Sequence, residues 1–368
     1  MKKYDIAAYI WPAYTGDEPR TRLFWPEGIG EWQTVKNSAP KQNGYFWNRK
    51  PLWGYVNEAD PYVMSAQIEA ATEHGVNVFI YDWYWYDNAP FLENCLNDGF
   101  LKAPNCDKMK FYIMWANHDA NYLWDIRNSD KFNNQTIWKG AVSPEQFEII
   151  GKRWIEKYFT KENYYKIDGK PVVSIYDFRN FVVGLGGIDG AVKSMKWLEQ
   201  EAKAAGLAGV HFQFVCWNQN SANVTGVDGN IMKTDAEIVE SMGFSSLTHY
   251  QFVHFTNIDR DYLEILPDVE KEWNVIKNKY HIPYFPHVSV GWDNNPRFLG
   301  FRGGIVKNNT PENFEKALRS AKKYADDNGV SLITINSWNE WTETSYLEPD
   351  NVYGYGYLEA IKKVFIEE

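Results

Sequence analysis

Two carboxylates three residues apart, Glu340 and Glu343, are the residues of this sequence best placed to do chemistry. They stand in Asn336-Ser337-Trp338-Asn339-Glu340-Trp341-Thr342-Glu343, directly after the apolar, β-branched run Ile333-Thr334-Ile335. The run reads as a buried strand. The polar residues after it do not suit a strand interior, because burying an unpaired carboxylate is costly. They suit a strand end that opens into a cleft. Two carboxyl groups flanking one bond are the equipment of glycoside chemistry. A less polar setting, such as the Trp341 ring, would keep one carboxyl protonated beside an ionised neighbour. The same spacing also fits a cap or ion pair at a helix start; the aromatic company and the strand-end position favour the chemical reading.

The composition agrees with a sugar-binding cleft. The chain has 17 Trp, 24 Tyr and 21 Phe. Indole N–H and phenol O–H groups need partners and suit half-wet surfaces. Trp11, Tyr14, Trp85, Trp217 and Trp292 sit beside polar residues and are candidate platforms for the flat C–H faces of an oligo- or polysaccharide. The net charge of −10, from 38 basic and 48 acidic residues without a basic block, argues against capture of nucleic acid or of an anionic membrane. Cys95, Cys106 and Cys216 form neither a disulfide framework nor a zinc pattern. His118, His249 and His287 show no metal-ligand spacing with Asp82 or Asp293, so no metal is expected. No run is apolar enough to insert in a membrane. Asp5 and Pro12 interrupt the stretch that would make a signal peptide after Lys2 and Lys3, so a cytoplasmic location is expected unless a leader was trimmed.

The elements that must position these residues alternate along the chain. Short apolar runs fall at Tyr4–Ile10, Val76–Tyr81, Lys110–Trp115, Pro171–Tyr176, Val210–Val215, Ser245–Thr248, Tyr284–Val290 and the run at Ile333. Helical patterns lie between them: Pro61–His74 closed by Gly75, residues 89–102, Ser143–Phe159 with Ser143 and Gln146 as a capping box, 190–205, Asp259–Lys279, Thr310–Asn328 and, last, Gly356–Ile366. Eight strand-helix units imply a parallel sheet closed as a (β/α)8 TIM-type barrel, expected to be one catalytic domain over residues 1–368. Active sites of such barrels lie at the C-terminal ends of the strands. The candidates there are Asp82, Tyr84 and Trp85; Asn117 and His118; Asp177; Trp217 and Asn218; His249 and Tyr250; Trp292 and Asp293; and Asn339, Glu340, Trp341 and Glu343. His287 lies within the seventh strand and is a weaker candidate. Residues 15–60 form a long first loop that periodicity does not fold. Gly184-Leu185-Gly186-Gly187 misses the dinucleotide-binding spacing and reads as a turn, and Asp259-Arg260-Asp261 reads as a helix cap.

Asn339-Glu340-Trp341-Thr342-Glu343 resembles the N-E-W-x-E signature of glycoside hydrolase family 99 and of its WbsX-like glycosyltransferase relatives. Leu347-Glu348-Pro349-Asp350, Tyr353-Gly354-Tyr355, Gly30-Glu31-Trp32, Phe79-Ile80-Tyr81 with Tyr84-Trp85, and Trp115-Ala116-Asn117 extend the resemblance, in order, over nearly the whole chain. It adds Glu31 and Trp32 to the candidate substrate-binding residues and implies a (β/α)8 barrel. It further implies Glu340 as base on the sugar's own 2-hydroxyl, giving a 1,2-anhydro intermediate, and Glu343 as general acid and then base. That route needs O2 trans to the leaving group, as in α-manno or α-rhamno sugars, and implies no metal or organic cofactor. Two residues depart from the pattern: Thr344, where the relatives usually have Gly, and His118, where WbsX-like sequences usually have Glu. Both are expected to line the cleft. The expected function is a retaining glycoside hydrolase, with a polysaccharide-assembly glycosyltransferase and a non-catalytic carbohydrate-binding barrel as alternatives.

Overall fold

The apolar runs assemble into one cylinder in the computed structural model of the protein, which describes residues 3–16, 18–217 and 235–367. Among the described residues the barrel strands are β1 Asp5–Ile10, β2 Val78–Tyr86, β3 Lys110–Trp115, β4 Lys170–Ile175, β5 His211–Cys216, β6 Ser246–His249, β7 His287–Ser289 and β8 Leu332–Asn336. They run in the order β6-β5-β4-β3-β2-β1-β8-β7, each neighbour parallel to the next. The last seam closes just ahead of β7: Leu247 donates to the Pro283 carbonyl at 2.9 Å and accepts from Phe285 N–H at 2.8 Å. The fold is therefore the (β/α)8 barrel that the alternation predicts.

Seven helices of the described chain form its coat: α1 Pro61–Glu73, α2 Pro144–Trp154, α3 Ile188–Ala204, α4 Asp235–Met242, α5 Tyr262–Lys279, α6 Pro311–Asn328 and α7 Gly356–Phe365. Three of them start alike. Asp60, Ser143 and Thr310 accept from backbone N–H groups of the first turn, and a proline follows each. Proline loses nothing there, because the first-turn N–H groups have no helical partner. Asp261 caps α5 in the same way, as the Asp259-Arg260-Asp261 reading expects. None of the described helices is long and apolar enough to cross a membrane.

The barrel interior is partly polar, and much of that polarity is paired. Ser174 and Tyr112 donate to Gln213 Oε1 at 2.6 and 3.2 Å. Thr334 Oγ1 lies 2.8 Å from Thr248 Oγ1 and 2.9 Å from His287 Nδ1. His287 thus belongs to the packed interior. His249 does too: it is fully buried against Tyr284 O–H at 2.7 Å, and burial lowers its pKa to about 3.

Two expectations about elements are corrected. The second strand does not stop at Tyr81 but continues to Tyr86, where it turns back through Asp87 and Asn88 into a short antiparallel segment, Ala89–Phe91. Asp87 and Asn88 have φ of 52° and 60°, the left-handed pair that a two-residue hairpin turn requires. Residues 89–102 accordingly open with this strand, and the helical character expected there is confined to a π-helical turn, Cys95–Gly99, that runs on into a 3-10 turn, Phe100–Lys102. The long first loop contains a short helix, Trp32–Lys36, and folds over the barrel mouth. Gly30 makes that possible: it has φ of 58°, and a Cβ there would stand 1.8 Å from the Ala13 carbonyl oxygen. The next residue, Glu31, then hydrogen-bonds that same carbonyl through its N–H at 2.9 Å.

Candidate active site

After β8 the chain makes a tight hairpin. Asn339–Glu340 pairs antiparallel with Ser345–Tyr346, and the 3-10 turn Trp341–Glu343 lies between them. A 3-10 turn brings residues three apart to one side, which delivers the Glu340 and Glu343 carboxyls together. The hairpin is fixed from below. Asn339 exchanges two hydrogen bonds with the backbone of Trp11, at 2.8 and 2.9 Å, and donates to Glu58. Trp341 donates from its indole to Glu348 at 2.5 Å and stacks on Tyr346 at 3.8 Å.

The cation of this site comes from the loop after β7. Asp293 Oδ1 accepts from the N–H and the side-chain amide of Asn295, at 3.0 and 2.7 Å, and starts the short turn Asn295–Arg297. That turn buries Arg297 among three carboxylates. Its Nε and Nη2 reach Glu31 at 2.9 and 3.2 Å, Nη2 also reaches Glu340 Oε1 at 2.7 Å, and Nη1 bonds Glu343 Oε1. The planar guanidinium fork is what allows one side chain to serve all three. Gln251 donates to Glu343 Oε2 at 2.9 Å.

Above these groups lies a cavity of about 370 Å³, lined among the described residues by Glu340, Glu343, Arg297, Asp82, Tyr250 and an aromatic wall of Trp11, Tyr84, Trp124, Tyr176 and Trp217 with His118. Burial lifts the Glu340 carboxyl well above the usual carboxylate range, and the charge of Glu343 adds to it. Burial also raises Glu343, against the pull of Arg297. The pair therefore holds a proton at pH values where free carboxyls have lost theirs. His118 places Nδ1 3.0 Å from the Asp119 carbonyl oxygen, and burial lowers its pKa. Neutral, with the proton on Nδ1, it offers Nε2 as an acceptor.

The structure brings Trp11, Asp82, Tyr84, His118, Trp217, Tyr250, Glu340 and Glu343 to this cavity. The remaining sequence candidates lie elsewhere. Tyr14 is fully buried and accepts from Trp341 N–H at 3.2 Å, and Trp32 packs on it at 4.1 Å. Glu31 is likewise fully buried, behind Arg297 and the Trp11 indole. Strand alternation turns Trp85 away from Tyr84, toward Gln146 of α2 and a separate cavity of about 410 Å³. The Asn117 side-chain amide clasps the Asp177 backbone, donating to its carbonyl at 2.8 Å and accepting from its N–H at 2.7 Å, while the Asp177 carboxylate accepts from Asn180 N–H at 2.8 Å. Asp293 and Asn339 are scaffold, His249 is interior, Trp292 is half-buried away from the cavity, and Asn218 lies outside the described residues. The Trp341 ring faces Tyr346, so burial rather than that indole supplies the low polarity around the carboxyls. Thr344 does not line the cavity; it takes φ of 55° in the hairpin, accepts from the Trp47 indole at 2.8 Å and donates to the Asp293 carbonyl at 3.0 Å.

Arg297 is the principal residue that the sequence reading missed. The Asp293-Asn294-Asn295-Pro296 turn before it was the available signal, since Asp, Asn and Pro there fix a turn. Tyr176 and Trp124 were missed as well.

The family model described as glycosyltransferase WbsX matches residues 6–361. The "uncharacterized protein WxcX" of Xanthomonas campestris pv. campestris is 24% identical over 354 residues, which cover 94% of this chain and 47% of that protein. The chain thus spans about half the length of the curated relatives it matches. Among solved structures, the GH99 endo-alpha-mannosidase from Bacteroides thetaiotaomicron superposes with a TM-score of 0.62 at 14% identity, covering 98% of this chain and 96% of that one. A glycoside hydrolase-like protein gives a TM-score of 0.62 at 14% identity, with 99% and 94% covered. At such identities the likeness is one of fold.

Proposed function

The chain belongs to the WbsX glycosyltransferase family, and from that premise we propose that it is a carbohydrate-active enzyme that hydrolyses an α-linked, manno- or rhamno-configured glycan with retention. The observation that carries this reading is the carboxyl pair at the cavity floor, with Arg297 bonded to both members. Glu340 takes the proton of the sugar 2-hydroxyl as O2 attacks C1. The bond from C1 to the leaving oxygen breaks, and Glu343 gives that oxygen a proton. In the second half, Glu343 takes a proton from water as the water oxygen attacks C1 and opens the C1–O2 bond, and Glu340 returns its proton to O2. Both carboxyls end as they began. The half-reactions need opposite proton states on two neighbouring groups, and a buried pair retaining one proton supplies them.

The test is release of reducing ends from α-manno- and α-rhamno-oligosaccharides without an activated donor. Proton NMR of the first-formed product reads the anomer. Glu343→Gln is expected to lower kcat on natural glycans about a thousandfold while leaving binding intact. Full activity in that variant, or an inverted first product, would sink the assignment.

The family description favours a second reading, sugar transfer from a nucleotide donor. Calorimetry against a panel of nucleotide-sugars separates the two. Glu31, Glu340 and Glu343 already occupy the guanidinium of Arg297, so it is not free to hold a diphosphate, which supports hydrolysis.

A further inference from the structure

Tyr250 stands between two carboxyl groups and has one hydrogen to give. Its hydroxyl lies 3.0 Å from Asp82 Oδ2 and 3.3 Å from Glu340 Oε2. A phenol carries a single O–H donor, so the hydroxyl can serve one of them at a time. The two carboxyls are differently placed. Glu340 already has Oε1 on Arg297 at 2.7 Å, so Oε2 is the oxygen left to take a proton from a sugar. Asp82 is 4% exposed, lines the cavity, and has no partner for Oδ1. Among the described residues, Tyr250 supplies the one hydrogen bond of its side chain.

We propose that Asp82 is a positioning residue for the base: by competing with Glu340 for the hydrogen of Tyr250, it sets how readily Glu340 Oε2 accepts a proton. With Asp82 ionised, the shorter contact prevails and Tyr250 donates to Asp82. Glu340 Oε2 then faces the lone pairs of the phenol, which strengthens it as a base. With Asp82 protonated, its O–H donates to Tyr250, and Tyr250 donates to Glu340. That arrangement steadies the Glu340 carboxylate and weakens it as a base. The proton balance of the reaction is unchanged, since the sugar proton goes to Glu340 and returns to O2.

The other charged and titratable groups about this pair are Arg297, Glu343 and Glu31 beside Glu340, the His254 ring, stacked on Tyr250 at 6.1 Å and lowered by burial to a pKa of about 3, and the phenols of Tyr9, Tyr14, Tyr84 and Tyr176. Burial raises Asp82 itself well above the usual carboxylate range, against the bond from Tyr250, so it is shifted in the same direction as Glu340. Burial raises all four phenols well above their ordinary range, so they stay un-ionised. The catalytic meaning of the device rests on the role proposed for Glu340; the coupling itself does not.

The experiment titrates Glu340 directly in the full chain. Glutamate labelled with ¹³C at the side-chain carboxyl is followed by NMR, and the Glu340 signal is assigned by its loss in Glu340→Gln. In Asp82→Asn the amide is either a weaker acceptor from Tyr250 or a donor to it. Either orientation turns the hydroxyl to Glu340 at every pH, whereas in the unsubstituted protein it turns away once Asp82 ionises; the titration midpoint is expected to fall by about one pH unit, tenfold in proton affinity. In the Tyr250→Phe background the same replacement is expected to move it less than half as far. No shift in Asp82→Asn, or equal shifts in the two backgrounds, would overturn the proposal, the latter because charge acting through space explains it. If Asp82→Asn does not fold, Asp82→Ala is read in the same way. On a turned-over glycan, the acid limb of kcat/KM in Asp82→Asn moves to lower pH; an unmoved limb counts against the proposal. If no glycan is turned over, the hydrolase reading fails while the NMR titration still decides the coupling.

Discussion

Arg297 and Glu31 are joined side-on by two hydrogen bonds, 2.9 Å from Nε to Oε1 and 3.2 Å from Nη2 to Oε2, and both side chains are almost wholly buried. This contact fixes the plane of the guanidinium, and the plane decides which nitrogens are left for Glu340 and Glu343. A lysine is a point charge on a flexible stem and cannot hold such a plane. Arg297→Lys is therefore expected to lower kcat about a hundredfold while leaving the fold intact, because small misplacements of reacting groups cost that much. Arg297→Met leaves three buried carboxyls without a counter-charge and is expected to destabilise the protein by about 3–5 kcal/mol. Urea unfolding separates the two outcomes; equal stability in both variants would mean that the cluster rearranges freely.

Trp217 and Trp85 make a matched pair for testing which indoles meet the glycan. Trp217 lines the cavity, stacked on His254 at 4.2 Å, whereas Trp85 faces α2. Trp217→Ala is expected to weaken glycan binding about tenfold, the size of one lost aromatic platform. Trp85→Ala is expected to leave binding within about twofold and to cost about 3–5 kcal/mol of stability, as for other buried aromatics. Calorimetric titration and thermal melts check both halves.

Thr344 holds a backbone conformation that glycine adopts freely, and it is kept there by its hydroxyl. Thr344→Ala keeps the strained φ and loses both hydrogen bonds; a loss of about 2 kcal/mol is expected. Thr344→Gly loses the bonds but relieves the strain, and should cost about 1 kcal/mol less than the alanine variant. Denaturant midpoints of the two proteins give the difference. An alanine variant as stable as the glycine one would show that φ carries no strain here.

Glu58 predicts a pH dependence of stability. It is buried beside Glu348, both accept from Gln67, and Glu58 also accepts from Asn339. Burial raises its pKa from 4.5 to about 7. An unfolded chain loses that proton near pH 4.5 and the native one holds it to about 7, so between these values the native state binds the extra proton. Stability contributed by Glu58 is then fully present below pH 4.5 and is lost as pH rises through 7, by about 3 kcal/mol. Glu58→Gln should flatten this part of the profile. Melts of the two proteins between pH 4 and 8 test it, and parallel curves would clear Glu58 of the effect.

Much of the fold is legible in local pattern. Helix starts such as Asp60-Pro61, Ser143-Pro144 and Thr310-Pro311 carry their own caps, and the apolar runs mark the strands. The apolar run of the second strand ends five residues short of the strand itself, because Asp82 interrupts it. In the barrel that aspartate simply takes the inward side of an alternating strand, between the outward Tyr81 and Trp83. Polarity at one position ends a strand on paper; in three dimensions it can mark the cavity.

By itself, the sequence determined the eight alternating units and the place of Glu340 and Glu343 after the last strand, because strand, helix and cap signals act over a few residues. The tertiary structure decided which aromatic residues face the cavity and what holds the carboxyls. Glu31 and Arg297 are 266 residues apart, and Arg297 is 43 from Glu340. Closing the barrel and folding the first loop across its mouth brings them together. No local periodicity encodes an ion pair over that distance. The desolvation that raises Glu340 and Glu343 also exists only once the walls around them are assembled.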